Sequence, residues 1–412
     1  MAVAASESKA MTMEERVAAL ENELAELKDD RQEKLRQLEN EGSSTAQRQE
    51  QAAEVEHELV ATGTENQSTL VAGWDRGFFL GSADNRFRLE ITGWIQPRFE
   101  YRSRPDAEDT SSFLMRRVRL DFRGHVFDER ITFRVMPELA RTANLRDAWI
   151  DYEWNRAFQV RAGQFTVPFQ WHRYVSPRRQ HFAERGDPSE TFGFPTGRDI
   201  GVMAHGRNED NTFGYGVGVF DGAGRNVGIS NSSGNMGSAR VTWAALGELP
   251  REESDLGFSD QLQLSFLGGV QGAYRNEARD WDLGRSPAPG NTRADWVSST
   301  AGVGLRYRGF SQVLDGYLRR VDPDSPAVDS YSGWAYMAST GYFVVPEKWE
   351  LVGRWSQLRL DKDDRDTRQD ELGLGVNWYV KGHDHKIRLN YFNGRSADGT
   401  EHTTVLEYHL QF

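Results

Sequence analysis

The chain closes on 403-TTVLEYHLQF-412, and the reading of these ten residues decides the fold. In an extended strand successive side chains point to opposite faces. Leu410, Tyr408, Leu406 and Thr404 share one face, and Gln411, His409, Glu407 and Val405 the other. The same division between apolar and polar faces governs 86-RFRLEITGWIQPRFEYR-102. There Phe87, Leu89, Ile91, Ile95, Phe99 and Tyr101 oppose Arg86, Arg88, Glu90, Thr92, Trp94, Gln96, Arg98, Glu100 and Arg102.

Between these two stretches the alternation recurs near residues 113–124, 130–139, 145–154, 158–166, 198–206, 213–221 and 237–246. It continues near 258–274, 295–307, 310–320, 331–343, 349–359, 368–379 and 385–393, for sixteen segments in all, an even number. Connections at 125–129, 155–157, 308–309, 344–348 and 380–384 are short, whereas 167–197, 222–236 and 275–294 are long. Short turns on one rim, long loops on the other and one apolar face throughout predict a sixteen-stranded antiparallel transmembrane β-barrel. Closure leaves no sheet edge facing hydrocarbon. A soluble sandwich fits less well, because its strands average about 5 to 6 residues and would have to bury rows of arginine. In a barrel the last strand pairs with the first. The terminal Phe412 then resembles the end signal by which outer-membrane barrels are recognised and inserted.

Composition agrees with this reading. Only 38% of the 412 residues are apolar, yet Gly (40), Trp (12), Tyr (13) and Phe (22) are plentiful, as many strands and tight turns require. No run of eighteen apolar residues exists to form a transmembrane helix. Cysteine is absent, which excludes disulfides and thiolate metal sites and suits an oxidising compartment. The opening MAVAASESKA ends no hydrophobic leader but carries AVAA, similar to the remnant of a signal cleavage site, so the chain reads as a mature exported protein.

The N-terminal part has a different period. Met13, Val17, Leu20, Leu24, Leu27 and Leu38 follow heptad spacing, with Arg31 and Lys34 in the intervening core positions, and the phase continues through Ala52, Val55 and Leu59. Residues 1–62 are therefore expected to form an α-helical coiled-coil stalk, which needs partner helices to be stable. Residues 63–85 are expected to be a linker and 86–412 the barrel. A helix over 13–62 would reach about 75 Å, far enough from an outer membrane to touch peptidoglycan or another cell-wall component.

Charge singles out one stretch. Residues 86–185 hold 19 basic groups, all arginine, against 13 acidic ones, in a chain whose net charge is −12. Arginine holds oxyanions bidentately. Within this stretch stand FLMRRVRLDFRGHVFDERITFRVMPEL, LRDAWIDYEW and FQVRAGQFTVPFQWHRYVSPRRQHFAERG. Their order is an Arg-rich strand, a hairpin, a D-A-x-x-x-Y strand, a G-Q-F-x-x-P-F turn and an E-R pair before the next strand. This order resembles the phosphate-selective porin O and P family. The resemblance implies a homotrimer in the outer membrane of a Gram-negative-type bacterium, with the coiled coil in the periplasm. It also implies diffusion of small anions through an Arg-lined pore narrowed by an infolded loop, about 167–197.

Strand parity is compatible with that implication: it turns Arg117, Arg119, Arg134 and Arg161 inward together with Asp147, and leaves Arg116 as an exception expected to sit near a rim or to snorkel. The loop adds Arg178, Arg179 and Arg185. Charged groups lining a constriction select ions by sign. Only Lys348, Lys362, Lys381 and Lys386 occur in the barrel region, so the lysine rows expected of phosphate-selective members are missing and phosphate specificity does not carry over. Two other readings stand beside the anion porin: a general non-selective porin, and a structural protein tethering the membrane to the cell wall. No G-x-S-x-G or H-E-x-x-H motif is present, so neither an enzyme, a metal site nor a cofactor is expected. The partners expected are outer-membrane lipid and small anions, with no nucleic acid.

Overall fold

The computed structural model describes residues 70–105, 107–140, 142–227, 234–277, 293–324 and 329–412. The stalk expected over 1–62 lies outside them. The compact unit begins at Thr69.

Two short strands come first, β1 (Leu70–Trp74) and β2 (Phe78–Ser82), inside the segment read as a linker. They are followed by β3 (Arg88–Arg104), β4 (Ala107–Val126), β5 (Asp128–Glu138), β6 (Asn144–Asn155), β7 (Phe158–Thr166), β8 (Arg198–Arg207), β9 (Phe213–Phe220) and β10 (Met236–Leu246). Then come β11 (Gln263–Glu277), β12 (Arg293–Tyr307), β13 (Phe310–Pro323), β14 (Tyr331–Val345), β15 (Trp349–Arg359), β16 (Arg368–Lys381), β17 (His385–Ser396) and β18 (Gly399–Gln411). From β3 to β18 each strand pairs antiparallel with the next, and β18 pairs with β3, so sixteen strands close into a barrel.

The seam is where the terminal strand was expected to close the sheet. Leu406 lies opposite Phe99, Leu410 opposite Ile95 and Gln411 opposite Trp94. The amide of Phe412 then donates to the carbonyl of Gly93, and Gly93 donates back to Phe412, both at 2.9 Å. Gly93 has to be small: a Cβ there would stand 2.8 Å from the Phe412 ring.

The two faces separate as the alternation requires. Leu318, Leu351, Leu374 and Leu406 are exposed on the outer wall, while Asn377, Arg388, Glu407 and His409 inside are wholly buried. On the rim of short turns, Trp154 meets Phe158 at 5.3 Å and Trp349 stacks on Trp378 at 5.5 Å, an aromatic girdle of the kind that borders a membrane. Most connections on that rim are short: Phe127, 156–157, 208–212, 308–309, 346–348 and 382–384. The exception is 247–262, whose final part was expected to be strand and instead folds inward before β11 begins at Gln263.

Two β-bulges bring extra charged residues to the interior. The register passes from Gln96↔Arg117 to Pro97↔Met115, skipping Arg116, and from Met136↔Asp147 to Pro137↔Leu145, skipping Arg146. Proline has no N–H to give the ladder, so the facing strand slips one residue at each. Consecutive residues Arg116 and Arg117, and likewise Arg146 and Asp147, then both serve the interior. Arg116, expected to sit near a rim or to snorkel, instead reaches inward to Glu184.

Candidate anion site at the inserted loop

The connection from β7 to β8, residues 167–197, enters the barrel and crosses it. It contains two short helices, α1 (Trp171–Tyr174) and α2 (Asp187–Phe192). Its residues touch walls on opposite sides. Ser238 of β10 donates to the Pro168 carbonyl at 2.7 Å, Phe192 packs 6.2 Å from Tyr317 of β13, and Phe182 packs 5.6 Å from Phe392 of β17. His181 lies between Ser311 and Ser339, at 2.8 and 2.9 Å.

Glu184 fixes the loop to the arginine-rich wall. It accepts from Arg116, lies 2.7 Å from Arg98 and lies 3.2 Å from Arg117. Burial opposes its ionisation, but Arg117, Arg116 and Arg98 outweigh burial and hold the carboxyl well below its ordinary value. Beneath it Glu407 of β18 takes Arg98 at 2.5 Å and also Arg388.

The expected site residues occupy this region in different ways. Arg117 is buried and donates to Gln96 at 2.9 Å, and Arg119 is buried and bound to Glu138 at 2.5 Å. Arg134 forms a bidentate pair with Asp121, 2.7 Å at each contact, and remains about a quarter exposed. Arg161 pairs with Asp151 at 2.6 Å and lies 4.0 Å over the Trp149 ring. Asp147 accepts from Arg198 at 2.9 Å and stands 3.8 Å from Arg134, so it orients two arginines. Arg178 covers the Trp94 ring at 4.3 Å. Arg185 donates to the His172 carbonyl at 2.5 Å and approaches Glu190 at 3.8 Å. Arg179 has its charge felt at Arg178 and, away from the wall, at Glu252 and His383.

Parity did not reveal the densest part of the cluster. Arg146 has Arg198, Arg119, Arg225 and Arg173 within electrostatic range. Glu138, Asp147 and Glu190 are the carboxylates paired with this group. Burial first, then the like charge of Arg173, pushes the Arg185 guanidinium well below its ordinary value, and burial with Arg198 lowers that of Arg225. Arg146 Nε, Arg173 Nε and Arg225 Nη1 are buried with no partner among the described residues. Gly197, at φ 65°, leaves room for Arg173: a Cβ there would lie 2.4 Å from its Nε. Arg146 was missed because only the bulge turns it inward, and Pro137 opposite is the sequence signal for that bulge.

A closed sixteen-stranded barrel with a charged interior, an apolar outer wall and a loop laid across its lumen defines a porin-type channel of the outer membrane. The chain belongs to the family described as phosphate-selective porin O and P, which it matches over residues 86–265 and 317–412. No curated protein matches it by sequence. Solved structures similar in fold include an anion-selective porin from Comamonas acidovorans, with 13% identity, TM-score 0.56, and coverage of 79% of this chain and 99% of that one. The outer membrane channel DcaP of Acinetobacter baumannii aligns with 13% identity and TM-score 0.55, over 83% of this chain and 100% of that one. The trimer form of OmpT, an outer membrane protein of Vibrio cholerae, aligns with 13% identity and TM-score 0.53, over 79% and 99%.

Proposed function

We propose that this porin conducts small anions, phosphate-like oxyanions among them, past the inserted loop, as a homotrimer whose N-terminal coiled coil extends into the periplasm. The observation that carries the reading is the surplus of guanidinium groups around Arg146, with three inward nitrogens lacking partners among the described residues. A passing anion exchanges water for the accessible guanidinium edges of these half-buried arginines and relieves their mutual repulsion. Arg117, Arg119, Arg134, Arg161 and Asp147 hold the wall of this path, and Arg178 and Arg185 hold its loop side. The fold likeness to an anion-selective porin and to a trimeric one supports the same reading.

A non-selective porin is the second reading. It is favoured by the carboxylates already bound to Arg119, Arg134 and Arg161, because a paired arginine contributes little net field.

Reversal potential across a planar bilayer in a salt gradient separates the two. Replacing Arg146 and Arg225 together by Gln removes charge where few carboxylates balance it. At an effective dielectric near 20, one charge about 4 Å from an ion contributes roughly 4 kcal/mol before desolvation. The double variant should therefore move the reversal potential toward cations, more at low salt than at high salt. A folded double variant with an unchanged reversal potential would refute the anion mechanism and favour the non-selective one.

A further inference from the structure

The barrel's own strands leave part of the β3 edge uncovered on the seam side. β18 stops where Gln411 meets Trp94 and Phe412 meets Gly93. Below that point β2 takes the edge, with Phe78 opposite Ile91 and Leu80 opposite Leu89, and β1 pairs onto β2 with Trp74 opposite Phe78 and Ala72 opposite Leu80. The residues preceding the barrel thus continue its wall across the seam.

Their side chains follow the wall's outer face. The row from Leu80 through Leu89 runs on through Gly124 and Phe133 to Ile150, and the row from Phe78 through Ile91 runs on through Phe122 to Val135. Ile150 is 62% exposed on the outer face, and Phe78 and Trp74 are each 58% exposed in line with it. Trp74 and Phe78 meet edge to face at 4.6 Å. Charged residues flank these rows: Asp75 and Arg76 form the turn between the strands with their side chains 61% and 90% exposed, and Asp84 and Arg86 follow β2. An apolar face continuous with the membrane belt, carrying Trp and Phe and bordered by charge, fits the boundary between lipid headgroups and acyl chains. It does not fit the hydrocarbon centre.

We infer that the β1–β2 hairpin is a lipid-binding element, seated at the membrane interface through Trp74, Phe78 and Leu80. It seals the barrel seam below Phe412. The inference rests on the outer-membrane location of the barrel and is independent of its ion selectivity.

The absence of cysteine makes the test direct. Single variants Phe78→Cys, Leu80→Cys, Ile150→Cys and Asp398→Cys of the full chain are spin-labelled in vesicles of phosphatidylethanolamine and phosphatidylglycerol. Collision rates are then measured with dissolved oxygen, which partitions into lipid, and with a water-soluble nickel chelate. Labels at 78 and 80 should show an oxygen-to-nickel ratio at least about threefold above that at Asp398 and close to that at Ile150. A ratio matching Asp398 would mean that the hairpin stands in water and would overturn the inference. Low collision rates with both reagents would mean that protein, not lipid, covers the face, and would overturn it too. Heat-modifiable migration on gels confirms that each variant is folded, and agreement between positions 78 and 80 guards against a local effect of either substitution.

Discussion

Glu184 stands where Arg98, Arg116 and Arg117 converge, and its carboxylate ties the inserted loop to the β3–β4 wall beside the contact of Arg178 with Trp94. Glu184→Gln keeps the size and an acceptor but leaves Arg98 and Arg117 with Glu407 as their nearest charge partner and takes from Arg116 the carboxylate it is paired with. Removing one member of a buried pair costs about 3–5 kcal/mol. Glu184 is 29% exposed, and water screening reduces the expected loss to about 1–3 kcal/mol. The measurement is the temperature at which the folded gel band converts to the unfolded one, which should fall in Glu184→Gln and recover in part in Glu184→Asp. No change would mean that the loop's other contacts, those of Phe182, Phe192 and His172 among them, hold it without Glu184. The pH dependence follows from the depressed carboxyl: its contribution is complete above the ordinary glutamate value of 4.5 and is lost as pH falls through the lower folded value. The anchor therefore survives mild acid.

The loop has a second attachment, to the inward segment 247–262 that enters from the opposite rim. His172 lies 2.8 Å from Glu253 of that segment and 2.8 Å from Asp315 of β13, and the amide of His181 donates to Glu253 at 2.9 Å. Burial lowers the affinity of His172 for its proton, but Glu253 and Asp315 outweigh burial and raise its pKa to about 9. A raised pKa means stability fully present below the ordinary histidine value and lost as pH rises through about 9. Raising pH from 7 to 10 should therefore loosen the loop, read as faster proteolysis within 167–197 and noisier single-channel current. His172→Gln should show the loosened behaviour at both pH values, and a variant that still responds to pH like the parent would place the sensor elsewhere. Strand alternation told much about this architecture in advance, because inside and outside impose opposite chemistry on successive residues. The bulges at Arg116 and Arg146 broke that parity, with Pro97 and Pro137 as the overlooked marks. The inward course of 247–262 was not legible. It depends on Glu253 finding His172 and on Asp255 accepting from Gly309 at 2.7 Å, contacts between residues that sequence proximity does not pair. Nor did the period of the barrel strands suggest β1 and β2, which are only five residues each.

At the scale of the whole molecule the described strands close the barrel without residues 1–62. Closure uses pairings from β3 to β18, the seam adds Phe412 on Gly93, and the compact unit begins at Thr69. A coiled coil over residues 1–62 would draw its stability from partner helices instead. Deleting 1–62 should therefore leave a barrel that inserts, migrates as a heat-modifiable species and conducts, because no pairing among the described strands involves the deleted residues. Cross-linking of the full chain should give trimers. In the deletion variant the trimer fraction should fall at low protein concentration while single-channel conductance stays the same, since the inserted loop and its arginines belong wholly to one barrel. Loss of the heat-modifiable species would show that the stalk is needed to fold the barrel. An undiminished trimer at every concentration would show that barrel walls alone hold the copies together, leaving the coiled coil free for contact with the cell wall.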